Sequence, residues 1–198
     1  MTRGLGIFVT LALCGAAAAQ ATSFVVEPGG KNVVQFESKA PMETVTGKTQ
    51  QVHGRVDLDP ANLGDSIQVR VEVDLASLDT GNDMRNKHMR ENHLHTAEYP
   101  QAVFRGGKVL KPSQSALAGG EKVTGTIAGL LSLHGVERPI EASMELVYSP
   151  QTGELHVTSR FQVKLSDYRI RRPKFLVMRL DEVQRIQIDL VARTTPSK

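Results

Sequence analysis

The chain has 198 residues, with 24 Lys and Arg against 21 Asp and Glu, a net charge of +3 with the histidines neutral. So small a surplus gives no basis for the strongly basic surface that neutralises nucleic-acid phosphates. A single cysteine excludes an intrachain disulfide and a metal centre built from several thiolates, while 40% hydrophobic residues suffice for one domain with a core.

The chain opens Met1-Thr2-Arg3, runs apolar from Leu5 to Ala19, and meets small residues at Ala19-Gln20-Ala21. A basic start, a short apolar run and an Ala-x-Ala site describe a secretory signal peptide over residues 1–21, too short for a membrane span. Cleavage is expected after Ala21, with Ala19 as the fallback. The lone Arg3 argues against the twin-arginine route, and Leu13 before Cys14 argues against lipoprotein processing. Cleavage removes the only cysteine and leaves residues 22–198 as one exported domain, periplasmic by expectation and secreted as the alternative.

Beyond the leader the chain is a series of short period-two segments broken by Gly, Pro, Asn and Asp. Phe24–Glu27 is a first strand, stopped by Pro28-Gly29-Gly30, and Val33–Ser38 is a second. Val52–Leu58 precedes a turn at Asp59-Pro60-Ala61-Asn62. In Ile67–Leu75, Ile67, Val69, Val71, Val73 and Leu75 alternate with Gln68, Arg70, Glu72 and Asp74, a strand with one dry face. Gly81 then offers the positive φ of a sharp turn, and Asp83 is a candidate N-cap for a short helix through Met84, His88 and Leu94. Further strands are expected over Ala102–Leu110, Val123–Leu133, Pro139–Tyr148, Leu155–Leu165 and Val183–Ala192. The pattern predicts an all-β domain of roughly eight or nine antiparallel strands with one short helix at about 83–95. A closed barrel is preferred to a sandwich because closure removes exposed strand edges.

Strand parity directs Phe36, Val71, Phe104, Ile127, Met144, Phe161 and Ile188 inward. With no Trp and 5% aromatics, that interior leans towards a cavity, the alternative being that branched aliphatics fill it. Around it, three of the six histidines, His88, His93 and His95, share the helical stretch. His88 and His95 are seven apart and face one way on a helix, yet match no established metal-ligand spacing, so no metal or other cofactor is expected. Gly47-Lys48-Thr49 resembles the end of a phosphate-binding loop, but the leading Gly would fall on Met42, so the signature fails. Ser132 and His134 are two apart on a strand and form no catalytic pair, and no catalytic residue is assigned.

Five ordered segments resemble the YceI-like proteins: Ser77-Leu-Asp-Thr-Gly81, Arg85-Asn-Lys-His-Met-Arg90, Tyr99-Pro-Gln-Ala-Val-Phe104, Leu133-His-Gly-Val-Glu-Arg-Pro-Ile140 and Leu165-Ser-Asp-Tyr-Arg-Ile170. The resemblance implies an exported, eight-stranded lipocalin-like barrel that binds a polyisoprenoid chain, such as a ubiquinone precursor, without altering it. It matches His88 to the family's helix histidine, and Gly135 and Pro139 to the Gly-Val-x-x-Pro connection. Where the family often reads Asp-Tyr-Gly-Ile, this chain has Arg169, which loses free access to positive φ and adds a cation.

The expected function is therefore an exported, non-enzymatic protein holding an isoprenoid, quinone-like or other amphiphilic lipid inside the barrel. Arg85, His88, Arg169, Arg171 and Arg172 are the head-group or rim candidates, and a basic rim also suits transient contact with a membrane surface. No nucleic-acid partner is expected, and monomer and homodimer both stay open. Two alternatives are carried: a periplasmic stress-response or assembly factor with a filled barrel, and a metal-dependent enzyme using His88 and His95.

Overall fold

The computed structural model describes residues 21–40, 43–64, 67–117, 119–175 and 178–195. The predicted signal peptide lies, apart from Ala21, outside the described residues.

Eight antiparallel staves close on themselves. Two are kinked: β1 (Thr22–Val26) continues as β2 (Val33–Lys39), and β3 (Thr44–Thr49) continues as β4 (Val52–Leu58). The others are β5 (Gln68–Asp74), β6 (Gln101–Leu110), β7 (Lys122–Leu133), β8 (Val136–Ser149), β9 (Glu154–Lys164) and β12 (Val183–Thr194). Between the last two lies a small hairpin, β10 (Lys174–Phe175) with β11 (Met178–Arg179). Closure runs through β12. One edge pairs with β9 along its length, while the other takes β2 opposite Arg185–Asp189 and β1 opposite Arg193 and Thr194. The expected all-β barrel is the observed one.

β3 is the strand that period-two patterning does not reveal. Its inward positions are Val45, Gly47 and Thr49, so only one brings a large apolar side chain. Its outer edge is closed by the turn after β5, where Lys48 and Asp79 exchange backbone hydrogen bonds of 2.9 Å in both directions. The Gly47-Lys48-Thr49 sequence is therefore sheet, not a phosphate-binding loop.

The barrel has a packed end and a hollow end. At the packed end Phe24, Leu58, Leu63, Val123 and Leu155 are at most 1% exposed, and Phe24 meets Tyr148 edge to face with ring centroids 5.5 Å apart. Two loops seal this end: Leu63 N–H donates to Ser115 O and Leu117 N–H to Pro60 O, each at 2.7 Å, carrying both leucines into the core. At the hollow end a helical segment lies across the opening. It comprises α1 (Asp83–His88) and a π turn over Met89–His93.

Candidate ligand cavity

The helical segment is held by a polar knot just before it. Asn82, not the expected Asp83, is the N-cap: its Oδ1 accepts from Arg85 N–H at 2.9 Å, which puts Asp83 in the first turn. Asn86 is 6% exposed, and its Oδ1 accepts from Thr80 N–H (2.9 Å) and Thr80 Oγ1–H (2.7 Å). Its Nδ2 donates to Asp79 Oδ1 at 2.8 Å. Hydrogen bonds from Gly81 N–H and from Asn86 hold the Asp79 carboxyl below the usual carboxylate range. Gly81 sits at φ +75°, as the turn requires. Asn86 is the residue holding the segment that sequence reasoning passes over; a polar residue on the core face of a short helix is the available signal.

The segment's far end is fastened to the β7–β8 hairpin, whose turn residues His134 and Gly135 take φ of +51° and +71°, the pattern of a two-residue hairpin. His134 Nδ1 lies 3.0 Å from Tyr168 O and must donate, since a carbonyl only accepts. In the neutral ring His134 Nε2 then accepts from His95 Nδ1–H, 2.8 Å away. Tyr99 packs on the His134 ring with centroids 4.7 Å apart. His95, itself at φ +45°, is thus paired with His134 instead of sharing a helix face with His88. Among the described residues no cluster of three or more His, Cys, Asp or Glu is placed to hold a metal ion. Arg169 occupies the left-handed conformation (φ +56°, ψ +24°) that caps the turn over Leu165–Tyr168, so the chain keeps the glycine-like backbone without the glycine.

Between the packed end and the helical segment lies a cavity of about 570 Å³, within the range typical of small-molecule sites. Of the seven parity-chosen positions, Phe36, Val71, Phe104, Phe161 and Ile188 line it. Ile127 and Met144 do not. They face inward, 8% and 5% exposed, but belong to the packed core. Parity fixes the face of a strand and says nothing of depth along the barrel.

Two aromatic walls depend on glycine. Phe36 lies against Gly47 directly across the β2–β3 pair, and a Cβ at Gly47 would stand 2.2 Å from its ring. The Phe104 ring lies over Gly106, two residues on in its own strand, and over Gly129, which pairs with Gly106 on β7.

The rim differs from the expected cationic one. Arg85 and His88 line the cavity; Arg169, Arg171 and Arg172 do not. The Arg172 Nε–H donates to the Leu180 carbonyl, and Arg171 offers its backbone carbonyl to the segment. Arg85 is committed internally: Nε–H to Thr80 Oγ1 and Nη2–H to Thr80 O, both 2.9 Å, with Glu43 Oε1 3.8 Å from Nη1. His93, which is not among the expected rim residues, lines the cavity and donates from Nδ1 to Arg171 O at 2.9 Å. Burial pushes its imidazole below the usual histidine range, and His88, His95 and Arg171 push the same way against that hydrogen bond.

Comparison with known proteins places this geometry. A UPF0312 protein of Vibrio parahaemolyticus is 31% identical over 147 residues, 73% of this chain and 71% of that one. Another, from Photorhabdus laumondii, is 29% identical over 146 residues, 72% and 71% of the two chains. A solved polyisoprenoid binding domain from Saccharophagus degradans, implicated in plant cell wall breakdown, superposes with a TM-score of 0.66 at 19% identity. That match covers 89% of this chain and all of the other. Burkholderia cenocepacia BcnA gives 0.63 at 20% identity, over 81% and 96%. The model of the YceI-like domain matches residues 24–192, from the first strand of the barrel into the last, and the chain is a member of that family.

Proposed function

We propose that this protein is an exported binding protein that holds an isoprenoid, quinone-like or other long-chain amphiphile in its barrel and does not alter it chemically. The observation that carries this reading is the cavity of about 570 Å³ walled by Val71, Phe104, Phe161 and Ile188 above a packed core. A dry wall of this kind offers an apolar tail about 0.8 kcal/mol for each methylene removed from water, so retention needs no catalytic group. Structural likeness to a polyisoprenoid binding domain supports the same ligand class. An assembly factor acting only through its surface would have no use for such a cavity. Export rests on the leader pattern of residues 1–21.

The test is native mass spectrometry of protein purified gently from periplasm, with organic extraction of whatever is bound. A discrete added mass that extracts as a prenyl or acyl chain is the expected result. An apo mass that takes up neither polyprenols nor quinones overturns the reading. Recovery of uncleaved protein from the cytoplasm overturns the export component alone.

A further inference from the structure

The head group that this cavity accepts is written in the polar atoms along its lining. Most are already spent on the fold. Arg85 bonds Thr80 and faces Glu43, Asn82 Oδ1 caps the helix, and Gln184 Nε2–H donates to Asp181 O at 2.7 Å. Gln35 stands between the inward Val34 and Phe36 and also lines a groove formed with Glu37, Arg160 and Gln162. Arg85 is the one Arg or Lys in the described lining and its charge is offset by Glu43, so no guanidinium or ammonium is left there to match a phosphate or carboxylate. An anion buried without a counter-charge costs several kcal/mol.

His93 is different. Its Nδ1 carries the proton, because the Arg171 carbonyl it meets can only accept. The neutral ring therefore presents Nε2 as a bare acceptor, with no partner among the described residues. The π turn contributes to this arrangement: Leu94 N–H reaches back five residues to Met89 O at 2.9 Å, and the extra residue turns the segment's end relative to an ordinary helix.

We infer that His93 is a specificity-determining residue whose Nε2 accepts a hydrogen bond from a neutral hydroxyl head group, a free prenyl alcohol or a phenol, and that the site discriminates against anionic heads. This rests on the carrier reading and narrows it: a ligand without a donor, and a phosphorylated one, both bind less well at equal tail length.

The experiment measures the affinity of the full barrel domain at pH 7.5 for three ligands of one tail: geranylgeraniol, its methyl ether and geranylgeranyl phosphate. The ether is expected to bind about fivefold to tenfold more weakly than the alcohol, the worth of one neutral hydrogen bond, and the phosphate more weakly still. In His93→Phe the alcohol-to-ether ratio falls to about one, and in His93→Gln, whose amide can both donate and accept, it is largely restored. Ratios taken within one variant cancel general losses of packing, and the wild-type series stands alone should His93→Phe fail to fold. Equal alcohol and ether affinities, a ratio that survives in His93→Phe, or tightest binding of the phosphate would each overturn the inference. Failure of all three ligands to bind instead sinks the carrier reading itself.

Discussion

Gly47→Ala isolates what glycine does for the cavity wall. The new Cβ would stand 2.2 and 2.6 Å from two ring atoms of Phe36, and the three nearest atoms all belong to that ring. Ordinary carbon contacts lie at about 3.5–4.0 Å, so the ring must retreat by roughly 1.5 Å. Phe36 lines the cavity, so one direction open to it is inward, at the expense of cavity volume. Overpacking of this kind costs about 1–3 kcal/mol, a fall in Tm of roughly 2–12 °C for a domain of this size. Chemical denaturation of the single variants Gly47→Ala and Phe36→Leu and of the double variant gives the coupling. The double variant is expected to be more stable than the sum of the two single changes by about 1 kcal/mol or more, because leucine lacks the offending ring edge. Uptake of a fluorescent lipid should weaken in Gly47→Ala and partly recover in the double variant. Additive stabilities within about 0.5 kcal/mol would refute the contact as the cause.

Three other perturbations have defined outcomes. Arg169→Gly should raise stability by about 0.5–1 kcal/mol, since φ +56° is strained for arginine and free for glycine; an unchanged denaturation midpoint would deny that strain. Asn86→Ala should cost about 1–3 kcal/mol by leaving the Thr80 N–H and hydroxyl hydrogen without their acceptor and removing one of the hydrogen bonds to Asp79 Oδ1, with the loss appearing in hydrogen exchange across residues 79–90 before the rest of the barrel. Burial holds His93 below the usual histidine value, so as pH falls below about 6.5 the unfolded chain takes the proton first and stability drops. The drop is complete once pH passes below the folded value, and denaturation midpoints from pH 8 to 5 should show a shallower slope in His93→Gln.

How much of the fold and site is legible in the sequence depends on distance along the chain. The dry face of Ile67–Leu75 announces β5, and the clustered motifs place the helical segment, because both are local patterns. Asn82 and Asp83 are both good caps, and only the hydrogen bond to Arg85 N–H separates them. β3 escapes because Gly47 contributes to the wall by its smallness, which hydropathy scores as nothing. Ile127 and Met144 are aimed correctly by parity and placed too high, since a period of two carries no axial coordinate. His95 meets His134 across 39 residues and His93 meets Arg171 across 78, pairings that closure of the barrel creates and no local window contains.

The sealed end also bears on time. With Leu63 and Leu117 packed in one core with Ile127 and Met144, a tail held as proposed would meet a closed floor and would leave through the hollow end, where Met84 lines the cavity and is 73% exposed. Release must then withdraw every buried methylene into water, and each adds about 0.8 kcal/mol to that exit, slowing it by roughly fourfold. Residence therefore lengthens steeply with tail length until the tail reaches the packed floor, and beyond that point added carbons hang outside and leave the rate unchanged. A blind barrel of this kind acts as a clock whose setting is the depth of its floor.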